Sequence, residues 1–285
     1  MAQSIFYVNG ELVTSDRAAL PLNDLGIVRG YGVFDYWRTY NYAHFHMDDH
    51  LRRLQRSAEQ IDLALPCGLD ELAAHIDMTY AANDYANAGI RVVVTGGAST
   101  DFMTPQGNPS LVIMVTPLPE YNERLYTEGV KTVTTEMVRE RPTVKSINYI
   151  GAIVAVERAK QEGAVEAIYR TPDGYLTEGT RANFFIFKGN QLITPDVDVL
   201  PGITRQVVLQ LAAIDFQVIE RPIHMDELTQ ADEAFITSST KELLPVVQVD
   251  EIAIGNGLPG EGTRALLAAF RAYAWSLAEQ RVAGD

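Results

Sequence analysis

The chain has 285 residues, 47% hydrophobic and 21% charged, which is enough to bury a substantial core and to build two domains of ordinary size. Its formal net charge of -14 sets up a field that repels nucleic acid and anionic membranes. No apolar run reaches bilayer length and no basic-then-apolar leader opens the chain, so a cytoplasmic location is expected, and the single cysteine, Cys67, excludes an internal disulfide.

In chain order, Asn9-Gly10 between Phe6–Val8 and Glu11–Val13 predicts a tight hairpin. After Leu25–Gly32 comes an aromatic strand, 33–40, whose period of two puts Phe34, Tyr36, Arg38 and Tyr40 on one face. That face suits either a half-exposed sheet surface or a pocket for an anionic organic molecule. His44, His46, Asp48, Asp49 and His50 are close in sequence, but the pattern reads as a strand end followed by a helix start rather than a metal site. Helical spacing predicts a helix over 49–61, with Arg52, Arg53 and Arg56 around its apolar stripe, and a second over 69–85. Strands are expected over 90–95 and 110–116, the first carrying an internal charge, Arg91, that needs a partner. Pro117-Leu118-Pro119 and the polar run to Gly129 mark an interdomain linker, giving an N-terminal domain 1–117, a linker 118–130 and a C-terminal domain 131–285.

The second half predicts a strand over 131–140 and then Lys145 at a strand-to-helix junction, where chemistry often sits. A helix over 149–162 follows, stopped by Gly163, then a hairpin that delivers Glu178 at the end of its second strand. Further strands at 184–187, 191–194, 234–236 and 245–249 indicate an α+β domain of largely antiparallel strands. Pro201–Arg205 leads into a helix, so Thr204 either caps it or shares its N-terminus with a bound phosphate. Thr237–Thr240 forms a hydroxyl-rich loop, and 263–279 reads as an amphipathic helix. A junction lysine, a carboxylate, a phosphate-ready helix start, a hydroxyl loop and an aromatic pocket are together what pyridoxal phosphate requires.

Thr143–Tyr149, Leu176–Phe185, Pro201–Arg205 and Phe235–Thr240 resemble, in this order, the signatures of the fold-type IV pyridoxal-phosphate enzymes. The resemblance runs from about Val8 to Asp250 and implies a two-domain α+β subunit, the cofactor in the interdomain cleft, and a homodimer. It implies that Lys145 is the covalent cofactor anchor and proton carrier, that Glu178 partners the ring nitrogen, and that Arg53, Ile203, Thr204 and Thr240 hold the phosphate, with Tyr149 beside the ring oxygen. Arg29, Phe34, Tyr36, Arg38 and Arg91 are the substrate candidates; Phe34 stands where the prototype D-amino-acid enzyme has a tyrosine, and Arg181 departs from that enzyme's serine-rich segment. No metal is implied. Amino donors and 2-oxo acids are the expected small-molecule partners, and the pattern of Arg29 with Arg91 is similar to a divergent, two-arginine group of D-amino-acid transaminases. Branched-chain L-amino-acid transaminase is the alternative, followed by (R)-amine transaminase and aminodeoxychorismate lyase.

Overall fold

A computed structural model describes residues 3–118 and 122–282, with side chains up to residue 279. The chain divides into two units: Met1–Pro119 with Val144–Asn148 and Ala274–Asp285, and Glu120–Thr143 with Tyr149–Tyr273.

The first unit opens with β1 (Ile5–Val8) and β2 (Glu11–Thr14), paired through a turn in which Asn9 and Gly10 both take positive φ, as the Asn-Gly signal requires. A short helix α1 (Leu25–Arg29), not foreseen from the pattern, is capped by Asp24 and closed by Gly30. Then come β3 (Gly32–Tyr40), β4 (Ala43–His44), α2 (Met47–Glu59), α3 (Leu69–Ala81), β5 (Ala88–Thr95) and β6 (Ser110–Pro117). The six strands form an antiparallel sheet in the order β2-β1-β6-β5-β3-β4. Val33 and Trp37 of β3 join Leu51 and Leu54 of α2, Leu72 and Ile76 of α3, and Ile90 and Val92 of β5 in one buried cluster. The helix α2 begins two residues earlier than expected, because His46 already turns the chain with a φ of 52°.

The second unit contains α4 (Arg124–Glu128) inside the expected linker, of which residues 119–121 lie outside the described residues. It continues with β7 (Val130–Glu136), α5 (Ile150–Gln161), β8 (Glu166–Arg170), β9 (Tyr175–Gly179), β10 (Ala182–Lys188) and β11 (Gln191–Thr194). After α6 (Ile203–Ala212) come β12 (Gln217–Glu220), β13 (Ile223–His224), a 3-10 turn at Met225–Gln230, β14 (Glu233–Ser238), β15 (Glu242–Val249), β16 (Ile252–Ala253) and α7 (Glu261–Val282). The sheet runs β12-β11-β10-β14-β15-β7-β8-β9-β13, and an extra β9–β10 pairing closes a ring of strands that leaves the Glu178 strand no free edge there. The pattern is not wholly antiparallel: β7 is parallel to both β15 and β8. Parallel neighbours need a crossover, which α5 supplies by packing Ala155 and Ala159 on Val133 and Ala167.

The unit division departs from the expected domain plan twice: Ala274–Asp285 goes with the first unit, and so does a segment inside that crossover. Residues 144–148 belong with the first unit, not with the C-terminal 131–285. The reason is hydrogen bonding: Phe34 N–H donates to the Lys145 carbonyl at 2.9 Å, Ile147 N–H donates to the Gly32 carbonyl at 3.1 Å, and Val33 bridges Ser146. Buried backbone groups must be paired, and here the partner is β3.

Candidate active site

The two faces of β3 do different work. On one face Asp35, fully buried, accepts from Arg53 twice, Nε to Oδ2 at 2.9 Å and Nη2 to Oδ1 at 2.7 Å, and from His50 Nδ1 at 2.7 Å. Burial pushes the Asp35 carboxyl up, but the Arg53 charge and His50 outweigh it and hold the group well below the usual carboxylate range. Burial lowers the His50 pKa against the pull of Asp35, so the imidazole is neutral; its Nδ1 proton goes to Asp35 and its Nε2, buried, has no hydrogen-bond partner among the described residues. Trp37 stacks on His50 with ring centroids 5.4 Å apart.

The opposite face carries the aromatic row. Arg91, directly across from Tyr36 in the β3–β5 register, lies with its guanidinium 4.9 Å from the Phe34 ring centre and 5.2 Å from that of Tyr36. The partner that Arg91 needed is therefore a pair of π faces. The Lys145 ammonium sits 4.7 Å from the same Phe34 ring, and the Lys145 backbone N–H donates to Ser57 Oγ of α2 at 3.2 Å. Arg38 lies over Tyr40, 4.2 Å from its ring centre. The Tyr36 phenol crosses Gly89, where an added Cβ would stand 2.2 Å from the hydroxyl, so the strand keeps glycine at that point. Arg29 is exposed at the end of α1, its guanidinium donating to the Val28 carbonyl at 2.9 Å.

In the second unit Glu178 is buried at the end of β9. Oε1 accepts from Arg139 at 3.1 Å and Oε2 from the Leu200 backbone N–H at 2.9 Å. Asn183, opposite Glu178 in the β9–β10 register, donates to the Leu200 carbonyl at 2.9 Å and lies 3.5 Å from Glu178 Oε2. These bonds fasten the Leu200–Gly202 turn, and with it the start of α6, to the carboxylate. Gly202 is the N-cap residue and no side chain caps the helix, which corrects the reading of Thr204 as a cap: Thr204 is buried within the first turn. An added Cβ on Gly202 would stand 2.1 Å from Asn183 Oδ1, so glycine is what lets this turn come so close.

The expected hydroxyl loop is partly strand: Thr237 and Ser238 end β14, paired with Leu243 and Glu242 of β15, and Thr240 lies in the turn beyond, its hydroxyl 3.4 Å from that of Ser238. Tyr149 is the N-cap of α5. The exposed Arg181 points its Nε to within 3.8 Å of the buried Glu166 carboxylate. The histidines do not converge: His44 lies beside Asp77 at 3.2 Å, His46 beside Asp49 at 2.8 Å and His50 beside Asp35, and among the described residues no group of His, Cys, Asp and Glu could hold a metal.

The first unit thus gathers Lys145, Phe34, Tyr36 and Arg91 on one strand face and Arg53 on the other. The second gathers Glu178 with the α6 start that carries Ile203 and Thr204. Asp35, Arg139 and Asn183 were missed from sequence. Asp35 had a signal, a lone carboxylate alternating among rings on β3, whereas Arg139 lies 39 positions from Glu178 and only the fold brings it near.

Against known proteins, the family described as amino-transferase class IV matches residues 32–249, and the chain belongs to that family. It is 34% identical to a putative branched-chain-amino-acid aminotransferase of Methanocaldococcus jannaschii, over 93% of this chain and 94% of that one. It is 33% identical to a D-alanine aminotransferase of Staphylococcus epidermidis, over 94% and 96% respectively. In fold it is similar to the branched-chain aminotransferase of the thermophilic archaeon Thermoproteus uzoniensis solved with norvaline, with a TM-score of 0.89 at 27% identity over 98% of this chain and 97% of that one.

Proposed function

We propose that the chain is a pyridoxal 5'-phosphate-dependent aminotransferase that moves an amino group between a D-amino acid, of the D-alanine or D-glutamate type, and a 2-oxo acid, working as a homodimer in the cytoplasm. Among the described residues no helix is long and apolar enough to cross a membrane. The observation that carries the reading is that the Lys145 ammonium and the Arg91 guanidinium both address the ring of Phe34. An amino acid needs that combination, because its carboxylate is attached to the carbon whose proton the lysine moves. A simple amine donor would leave Arg91 without an anion.

The residues present fit the cofactor. The Glu178 carboxylate is buried and supplied with donors on both oxygens, and the N-terminus of α6 has no side-chain cap and presents a hydroxyl in its first turn. When bound, the cofactor supplies a ring that takes up the electron pair left on the substrate carbon. Glu178 holds a proton at the ring nitrogen. Ile203, Thr204 and Thr240 would hold the phosphate, and Arg53, whose guanidinium plane Asp35 fixes, would be a further phosphate ligand. Tyr149 would stand beside the ring oxygen, and Lys145 would be the covalent anchor and the carrier of the substrate proton. Arg91 orients the substrate carboxylate with Tyr36, Arg38 and Arg29, and the Phe34 ring excludes water from the amine.

The D-alanine aminotransferase relative supports the D reading. The relatives named for branched-chain substrates favour a second one, an L-valine or L-leucine transaminase. Half-reactions with D-alanine, D-glutamate, L-leucine and (R)-1-phenylethylamine, followed by loss of the visible cofactor band, separate them. The first two are expected to bleach it, and bleaching by L-leucine alone would replace the D reading with the second.

A further inference from the structure

One buried charge pair has no part in the mechanism above. Glu166, on β8, has no solvent exposure; its Oε2 accepts from Lys241 Nζ at 3.0 Å, and its Oε1 accepts from the Thr180 hydroxyl and from the Ala167 N–H at 3.3 Å. Lys241 is itself 4% exposed. Such a pair is a poor source of stability, since its desolvation cancels most of its attraction and apolar residues of the same volume serve as well. Its value here is in what it connects. Lys241 follows Thr240 directly, and Thr180 lies two residues beyond Glu178. The tie is reinforced around Lys241: its N–H donates to Ser238 Oγ at 3.2 Å, its carbonyl accepts from Tyr126 at 3.0 Å, and Glu242, at a φ of 54°, is gripped by Arg271 at 2.7 Å.

We infer that Lys241 and Glu166 are positioning residues that set the distance between the Ser238–Thr240 hydroxyls and the Glu178 carboxylate. The inference rests on the cofactor reading above: phosphate and ring nitrogen belong to one rigid molecule, so the two protein groups that meet them must be held at a matching span. Arg181, facing the same carboxylate, reinforces the tie from the exposed side.

The test is an equilibrium titration of the full-length protein with pyridoxal 5'-phosphate and, separately, with pyridoxal, which lacks the phosphate. The Lys241→Met/Glu166→Gln double variant removes both charges, so neither is left buried and unpaired. Its affinity for the phosphorylated form is expected to fall about tenfold or more, the scale of a lost charge-assisted contact, while its affinity for pyridoxal changes by less than about twofold on the same scale. Unchanged affinity for both probes, or an equal loss of both with an intact circular dichroism spectrum, overturns the inference. If the double variant does not fold, Thr180→Ala removes only the hydroxyl end of the tie and is expected to shift the affinity ratio about threefold; a ratio equal to that of the unmodified protein overturns the inference equally. Failure of the unmodified protein to bind pyridoxal 5'-phosphate would instead sink the cofactor reading itself.

Discussion

The two units each bury a carboxylate beside an arginine, and they do so by opposite means. In the first, Asp35 meets Arg53 and His50, which are 18 and 15 positions away on the next long helix. The cluster is made by one strand packing on one helix, and all three side chains are buried. In the second, Glu178 draws on Arg139, Asn183 and the Leu200 backbone, from three separate stretches of chain, and its arginine keeps 23% of its side-chain surface in solvent. A local cluster can act as a rigid foundation, and a dispersed one depends on every loop that contributes to it. The first is expected to govern stability and the second activity.

The sharpest check is at Lys145. Replacing it with Ala should lower turnover by about a thousandfold or more, the range of a lost nucleophile and proton carrier, and abolish the visible cofactor band. The melting temperature should hold, because the bonds that tie residues 145–147 to β3 are backbone bonds. A fully active variant breaks the comparison at its centre. Next in size, Asp35→Leu takes the carboxylate away from the buried Arg53 charge and should cost about 3–5 kcal/mol in chemical unfolding. The Asp35→Leu/Arg53→Met double variant should recover most of that while still binding the cofactor poorly. Arg139→Ala should act the other way round, lowering the rate with a smaller stability loss than Asp35→Leu, because the Leu200 N–H still pairs with the Glu178 carboxylate.

Acid should find the first unit before the second. Asp35 and His50 both have folded pKa values below their unfolded ones, so the unfolded chain binds more protons and stability falls as pH drops. The loss begins below about pH 6.5 through His50 and deepens below about pH 4 through Asp35, the unfolded values of the two groups. Urea unfolding between pH 8 and pH 4 measures it, and His50→Gln should flatten the upper part of the curve. The smallest effect expected is at the hairpin turn: Gly10→Ala, at a φ of 105°, should cost about 1 kcal/mol without touching activity.

Much of the first unit was legible because its signals are local. Asn9-Gly10, the alternation of β3 and the helical stripe of α2 each report a structure made with near neighbours. The family itself was legible too, because its signatures are short runs such as Thr143–Tyr149 and Pro201–Arg205, and the class IV match over residues 32–249 agrees. Other features escaped because their causes lie far off in sequence. The parallel placement of β7 follows from its two neighbours, β15 and β8, and the uncapped start of α6 follows from Asn183 occupying the space beside Gly202.

The amino-acid sequence by itself determined most of the α+β elements, which depend on periodicity and short spacings, and its motifs carried the resemblance to the family. Only the tertiary structure decided which unit holds the Lys145 segment, which arginine pairs with Glu178 and which ring Lys145 and Arg91 both approach. Backbone hydrogen bonds to β3, burial at the end of β9 and the cross-strand register of β3 with β5 made those choices, and each of them acts across dozens of residues of intervening chain.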